Sequence, residues 1–185
     1  MDLKPLILLI ILLTACSNDT PDETTNEINQ STRLSDTLVS ETDVGDFVLR
    51  LISEKISYSP DEEVMMKGKL KYIGDEEEME IGYLESPFFF DIVEINRGLE
   101  IPYMMDGTEQ TTILQKNKWY EESFEKKIGF RDSDEHAEFY HLFMDEKGFP
   151  IGEYEIELRT NFETFIEEEP ERHNYISSIV IEVKE

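Results

Sequence analysis

The 185-residue sequence has a single cysteine, Cys16, and only 17 lysines and arginines against 43 aspartates and glutamates. One thiol cannot close an intrachain disulfide, so no disulfide framework braces this fold. The shortage of cations leaves a formal net charge of −26, which repels phosphate backbones and anionic lipid surfaces and excludes nucleic acid as a partner. No apolar run approaches the ~20 residues that a membrane-spanning helix needs to cross about 30 Å of hydrocarbon. Gly-x-Ser-x-Gly, His-Glu-x-x-His, P-loop and dinucleotide fingerprints are missing, which removes support for the well-marked enzyme classes. No repeat recurs at a fixed period.

What remains is enough for one folded domain with appendages. Apolar residues make up 39% and aromatics 11% of the chain, so the acidity belongs to the surface of a packed domain rather than to a disordered polymer. The length fits one core.

The opening MDLKPLILLIILLTAC places Lys4 before an apolar run from Pro5 to Leu13, then a small residue, Ala15, before the cysteine. This is the pattern of a short signal peptide. Leu13-Thr14-Ala15-Cys16 resembles the lipobox of bacterial lipoproteins. The resemblance implies cleavage before Cys16, a diacylglyceryl group on its sulfur and an extracytoplasmic, membrane-anchored protein. Two acyl chains suffice for stable anchoring, since each buried CH₂ contributes about 0.8 kcal/mol. Residues 1–15 then form the signal peptide. Residues 16–45, rich in Ser, Thr, Asn, Asp and Glu and without an aromatic residue, read as a flexible acidic tether. The domain proper is expected over 46–185.

Within 46–185 the dominant signal is alternation with period two, which sends successive side chains to opposite faces of a sheet. Phe47, Leu49 and Leu51 alternate with Arg50, and Met66, Leu70 and Tyr72 with Lys67, Lys69 and Lys71. Tyr154, Ile156 and Leu158 alternate with Glu153, Glu155 and Glu157, and Ile179, Ile181 and Val183 with Glu182 and Lys184. Turn signals such as Ser59-Pro60-Asp61, Asn96-Arg97-Gly98 and Gly148-Phe149-Pro150 separate the runs. The expected fold is therefore all-β, an immunoglobulin-like antiparallel β-sandwich with one short helical or irregular insertion.

YSPDEEVMMKGKLKYIGDEEEMEIGY, followed by FFFDIVEINRGLEI, LQKNKWY and GEYEIEL, is similar in order to the bacterial intracellular proteinase inhibitor family. The resemblance implies an immunoglobulin-like module and raises protease inhibition as an alternative function, although fold alone does not transfer activity.

Three features could carry a site. Asp134, Glu138, His141 and Asp145 would share one face if the 131–148 segment were a helix, and three carboxylates with an imidazole could hold a divalent cation. The competing reading is a solvated acidic face whose other side, Ala137, Tyr140 and Met144, packs on the sandwich. Phe89 and Val93 fall on the face opposite Phe88, Phe90 and Ile92, so this strand needs either a cover, for which the 131–148 segment is the candidate, or a partner. Trp119 is a third partner-binding candidate, with at least one of Trp119 and Tyr120 expected in the core. His173, among glutamates, is expected to be exposed.

The function expected is a lipid-anchored binding or assembly module for a protein or cell-envelope ligand. It has no catalytic residues and no cofactor in this reading. Protease inhibition and divalent-metal binding are the alternatives.

Overall fold

The computed structural model describes residues 29–34, 36–145, 147–165 and 170–185. Cys16 and the signal-peptide segment lie outside them.

The described residues open with β1 (Asn29–Leu34), β2 (Thr37–Val44), β3 (Phe47–Ser53) and β4 (Ser57–Tyr58), then β5 (Met66–Tyr72) and the long β6 (Glu78–Glu94). It continues through β7 (Leu99–Ile101), β8 (Glu109–Gln115), β9 (Trp119–Ser123) and α1 (Ala137–Asp145). It closes with β10 (Gly152–Thr164), β11 (Glu171–His173) and β12 (Ile176–Val183). One sheet runs β1-β2-β3-β5-β9; the other runs β4-β12-β10-β6-β7, with β11 beside β10 and β8 beside β6. Pairing is antiparallel except between β4 and β12. The protein is an all-β sandwich, with one short helix among the described residues.

Alternation decides which side chains meet between the sheets. Leu49, Leu51, Leu70 and Tyr72 from one inner face pack with Phe88, Ile92, Tyr154, Ile156 and Leu158 from the other, all essentially without solvent contact. Gly68 stands among them for a steric reason. A Cβ there would lie 3.0 Å from Leu158 and 3.2 Å from Phe88, so the bare backbone lets the facing sheet approach.

Two stretches expected to lie in the tether over 16–45, Asn29–Leu34 and Thr37–Val44, are strands instead. Thr37–Val44 is a full strand paired along its length with β3, from Leu38↔Ser53 to Val44↔Phe47, and Asn29–Leu34 pairs in turn with it. The inward residues of β2 are Leu38, Ser40 and Thr42. Two of the three are polar, and they are satisfied across the sandwich: Ser177 Oγ donates to Ser40 Oγ at 2.9 Å, and Thr42 Oγ1 donates to the Ile176 carbonyl at 2.8 Å. A strand whose buried face is built from hydroxyls looks like a linker in composition alone.

The helix also differs from expectation. It buries Ala137, Tyr140 and Phe143, while Met144 is exposed. Tyr140 donates to the Glu100 carbonyl of β7 and Phe143 packs on Phe149 with ring centroids 4.5 Å apart. α1 thus seals the sandwich beside β7. Phe89 is met instead by Tyr103, edge-on at 5.3 Å.

Candidate functional site

β6 changes partners halfway. Its first half pairs with β8, its second with β7, and both halves pair with β10 on the other side. The join is irregular: the register passes from Thr160↔Phe88 to Phe162↔Tyr83, so four residues of β6 stand opposite Asn161 alone. Glu85, inside that excess, has φ 55, a left-handed conformation uncommon outside glycine. Its carboxylate accepts from the Asp106 backbone N–H and the Lys127 ammonium, and these bonds hold it below the usual carboxylate range. Bulges of this kind bend strands and re-aim side chains, and they concentrate near binding sites.

Here the irregularity opens a groove on the outer face of the seven-stranded sheet. It consists of two adjoining hollows, about 340 Å³ and 840 Å³, which share Asn161 and Arg172. Phe89, Arg159, Asn174 and Tyr175 border the smaller one, and Gln110, Thr111 and Phe165 border the larger. Phe165 is 54% exposed, and a Cβ on Gly82 would lie 2.9 Å from its ring. The glycine therefore lets the ring rest on bare backbone. A hollow of about 560 Å³ beside β12 lacks any aromatic side chain, and its Lys184 is bonded to Glu182.

Around the groove the charge pattern is mixed. Arg159 lies 3.3 Å from Asp91 and also pairs with Glu157, while Arg172 contacts Glu163 at 2.8 Å. Each guanidinium has five N–H donors, and these contacts engage only two of its three nitrogens. Both arginines thus retain donors for a ligand oxygen. Burial, reinforced by Glu171 and Asp46, pushes the Tyr175 hydroxyl up to about 12, so it stays a neutral donor across physiological pH. The exposed Phe165 ring, planar guanidinium groups and side-chain amides can together stack and hydrogen-bond a polar ligand.

The residues singled out from sequence are not gathered in one place. Phe89 borders the groove. Val93 is half-buried on the same sheet face, opposite Glu155 and Glu100. Trp119 lies on the other sheet, opposite Lys71, while Tyr120 opposite Leu70 turns inward against Phe88. The Trp119 ring has the Arg50 guanidinium at 4.3 Å and the Lys71 ammonium at 4.5 Å from its centroid, so it lies across the strands and is engaged by its own neighbours.

The acidic helical set is dispersed. Asp134 precedes α1 and its carboxylate accepts from the Arg131 backbone N–H at 2.8 Å. His141 Nε2 faces Asp132 at 3.1 Å, and its ring packs edge-on against Phe130. Glu138 and Asp145 are exposed. Among the described residues, no three His, Cys, Asp or Glu side chains converge on a point that could hold a metal ion.

His173 departs most from expectation. It is buried, with Nε2 2.9 Å from Thr164 Oγ1 and Nδ1 2.7 Å from the Tyr175 hydroxyl. This hydroxyl-imidazole contact cannot work as a nucleophile and base, because Thr164 has no exposed surface and a phenol, not a carboxylate, orients the ring. Composition gave no sign of this cluster, although the aromatic and hydroxyl residues flanking His173 could have suggested a cage.

No family model, curated protein or solved structure matches the chain.

Proposed function

We propose that this chain is a lipid-anchored, extracytoplasmic binding module that takes a protein or cell-envelope ligand in the groove at the β6–β10 irregularity, without catalytic residues of its own. The observation that carries the reading is the groove itself: two adjoining hollows with the exposed Phe165 ring, the half-buried rings of Phe89 and Tyr175, and two arginines that keep unused donors. The anchor rests on Leu13-Thr14-Ala15-Cys16 and the apolar run before it. Cys16→Ala should abolish acyl labelling and release the chain from membranes; unchanged labelling contradicts the anchor.

For the groove, the full chain and its Arg159→Ala/Arg172→Ala variant are incubated with isolated cell-envelope material. Removing both guanidinium groups should lower retention at least about tenfold, which corresponds to roughly 1.4 kcal/mol. Equal retention of the two contradicts the groove. Stoichiometric, active-site-directed inhibition of a serine protease would instead favour the inhibitor reading, which rests on the family resemblance.

A further inference from the structure

His173 lies beneath the groove wall, and residues on both sides of it form that wall. Arg172, Asn174 and Tyr175 border the smaller hollow, whereas the His173 ring turns inward and stacks on Phe162 at 4.9 Å and 23°. Phe47 approaches it at 5.2 Å, and Tyr175 at 5.7 Å. β11 is only three residues long and pairs with β10 alone, through Phe162, Glu163 and Thr164. The hold just beyond it is equally local: Tyr175 N–H donates to Thr160 Oγ1 at 2.7 Å and Thr160 N–H to the Tyr175 carbonyl at 2.9 Å.

We infer that His173 is a pH-sensitive clasp: protonation of its imidazole releases β11 and the Asn174–Tyr175 segment from β10, and with them one wall of the groove.

Neutral imidazole has one donor and one acceptor nitrogen, and the hydroxyls of Thr164 and Tyr175 can take either role, so the neutral ring is fully bonded. A proton adds charge in a site walled by three aromatic rings with 8% of the residue exposed. The charged groups facing it are few. Glu171 lies on β11 itself and Asp46 on the turn between β2 and β3; both favour the cation, and burial outweighs them, so the imidazole is held below its ordinary value. From β10 the ring meets Thr164 and Phe162, and from β3 it meets Phe47, all uncharged; Arg172 points to the opposite face, against Glu163. A group whose pKa is depressed in the closed form contributes stability that is complete above its free value, about 6.5, and is lost as pH falls toward the depressed value. Each unit separating the closed and open values raises the open population up to about tenfold on acidification.

The clasp itself is independent of the groove reading, and only its effect on ligand binding rests on that reading. Hydrogen-exchange protection factors of the full chain should fall at least about tenfold at Tyr175 and Thr160 between about pH 7.5 and pH 5, while Ile156 in the same strand holds. His173→Gln and His173→Phe should flatten this dependence, and the wild-type imidazole should titrate below about 6.5 by NMR. The inference is overturned if that titration lies at or above the ordinary value, if protection is flat in wild type, or if the loss persists in both variants. Clasp opening with pH-independent retention on cell-envelope material would uphold the clasp and count against the groove.

Discussion

At Gly148 an added Cβ would lie 2.4 Å from the Pro60 carbonyl oxygen and 2.5 Å from that of Glu62. Both neighbours are backbone atoms, and Gly148 N–H also donates to Pro60 O at 3.2 Å. Gly148→Ala must therefore push the 59–62 turn aside, and chemical denaturation should show a loss of about 2 to 3 kcal/mol. Gly98 gives the contrast. Nothing lies within 4 Å of its Cβ position but its φ is +65°, so Gly98→Ala should cost only about 1 kcal/mol, through backbone strain. Lys126 makes a second residue-scale case. α1 has no basic residue in its last turn, and the Lys126 ammonium, from outside the helix, donates to the Phe143 carbonyl at 2.6 Å and to that of Gly148. It also lies 4.9 Å from the Phe143 ring centroid. Lys126→Met keeps the apolar stem and removes the charge, so a melt should register a loss of about 1 to 3 kcal/mol. The roles of Gly148 and Lys126 were not legible in the sequence, because each depends on contacts between segments distant along the chain, whereas Gly98 falls in the Asn96-Arg97-Gly98 turn signal.

At the scale of elements, period-two alternation located the strands that face an apolar core. The lysines of β5 and the glutamates of β10 mark outward positions, and Leu70, Tyr72, Tyr154 and Ile156 between them are buried. The same rule missed β2, because Ser40 and Thr42 are buried by bonding to Ser177 and Ile176 rather than by apolar contact. It also missed β11, because His173 looks exposed wherever only charged neighbours in sequence are considered. The groove was half legible. Phe89 was marked by its place on an aromatic strand, whereas Arg172 comes beside Asn161 and Arg159 only through the pairing of β11 with β10, which the alternation did not reveal. A chain beginning at Asp46 lacks β2, which uncovers the edge of β3 and leaves Ser177 without its partner. It should lose the cooperative melt that a chain beginning at Asn29 shows. Equal melting of the two would mean that β2 is dispensable and the tether extends to residue 45.

At the scale of the whole molecule, the net charge of −26 acts against compactness. Salt bridges such as Arg172–Glu163 have partly exposed side chains, where such pairs contribute about 0 to 1 kcal/mol each. Self-repulsion should therefore dominate the salt response. Raising ionic strength from about 0.01 M to 0.1 M shortens the screening length from about 30 Å to 10 Å, and the melting temperature should rise. A fall would show that the ion pairs outweigh the repulsion.

The claim that the β6–β10 irregularity is where this molecule meets its ligand is tested most directly by site-specific photocrosslinking in intact cells. A photoreactive phenylalanine analogue is placed either at Asn161, which both hollows share, or at Trp119 on the opposite sheet. The account predicts a discrete crosslinked product from position 161 that disappears in the Arg159→Ala/Arg172→Ala background, and none from position 119. A product from position 119 alone, or one from position 161 that survives the double substitution, would contradict it.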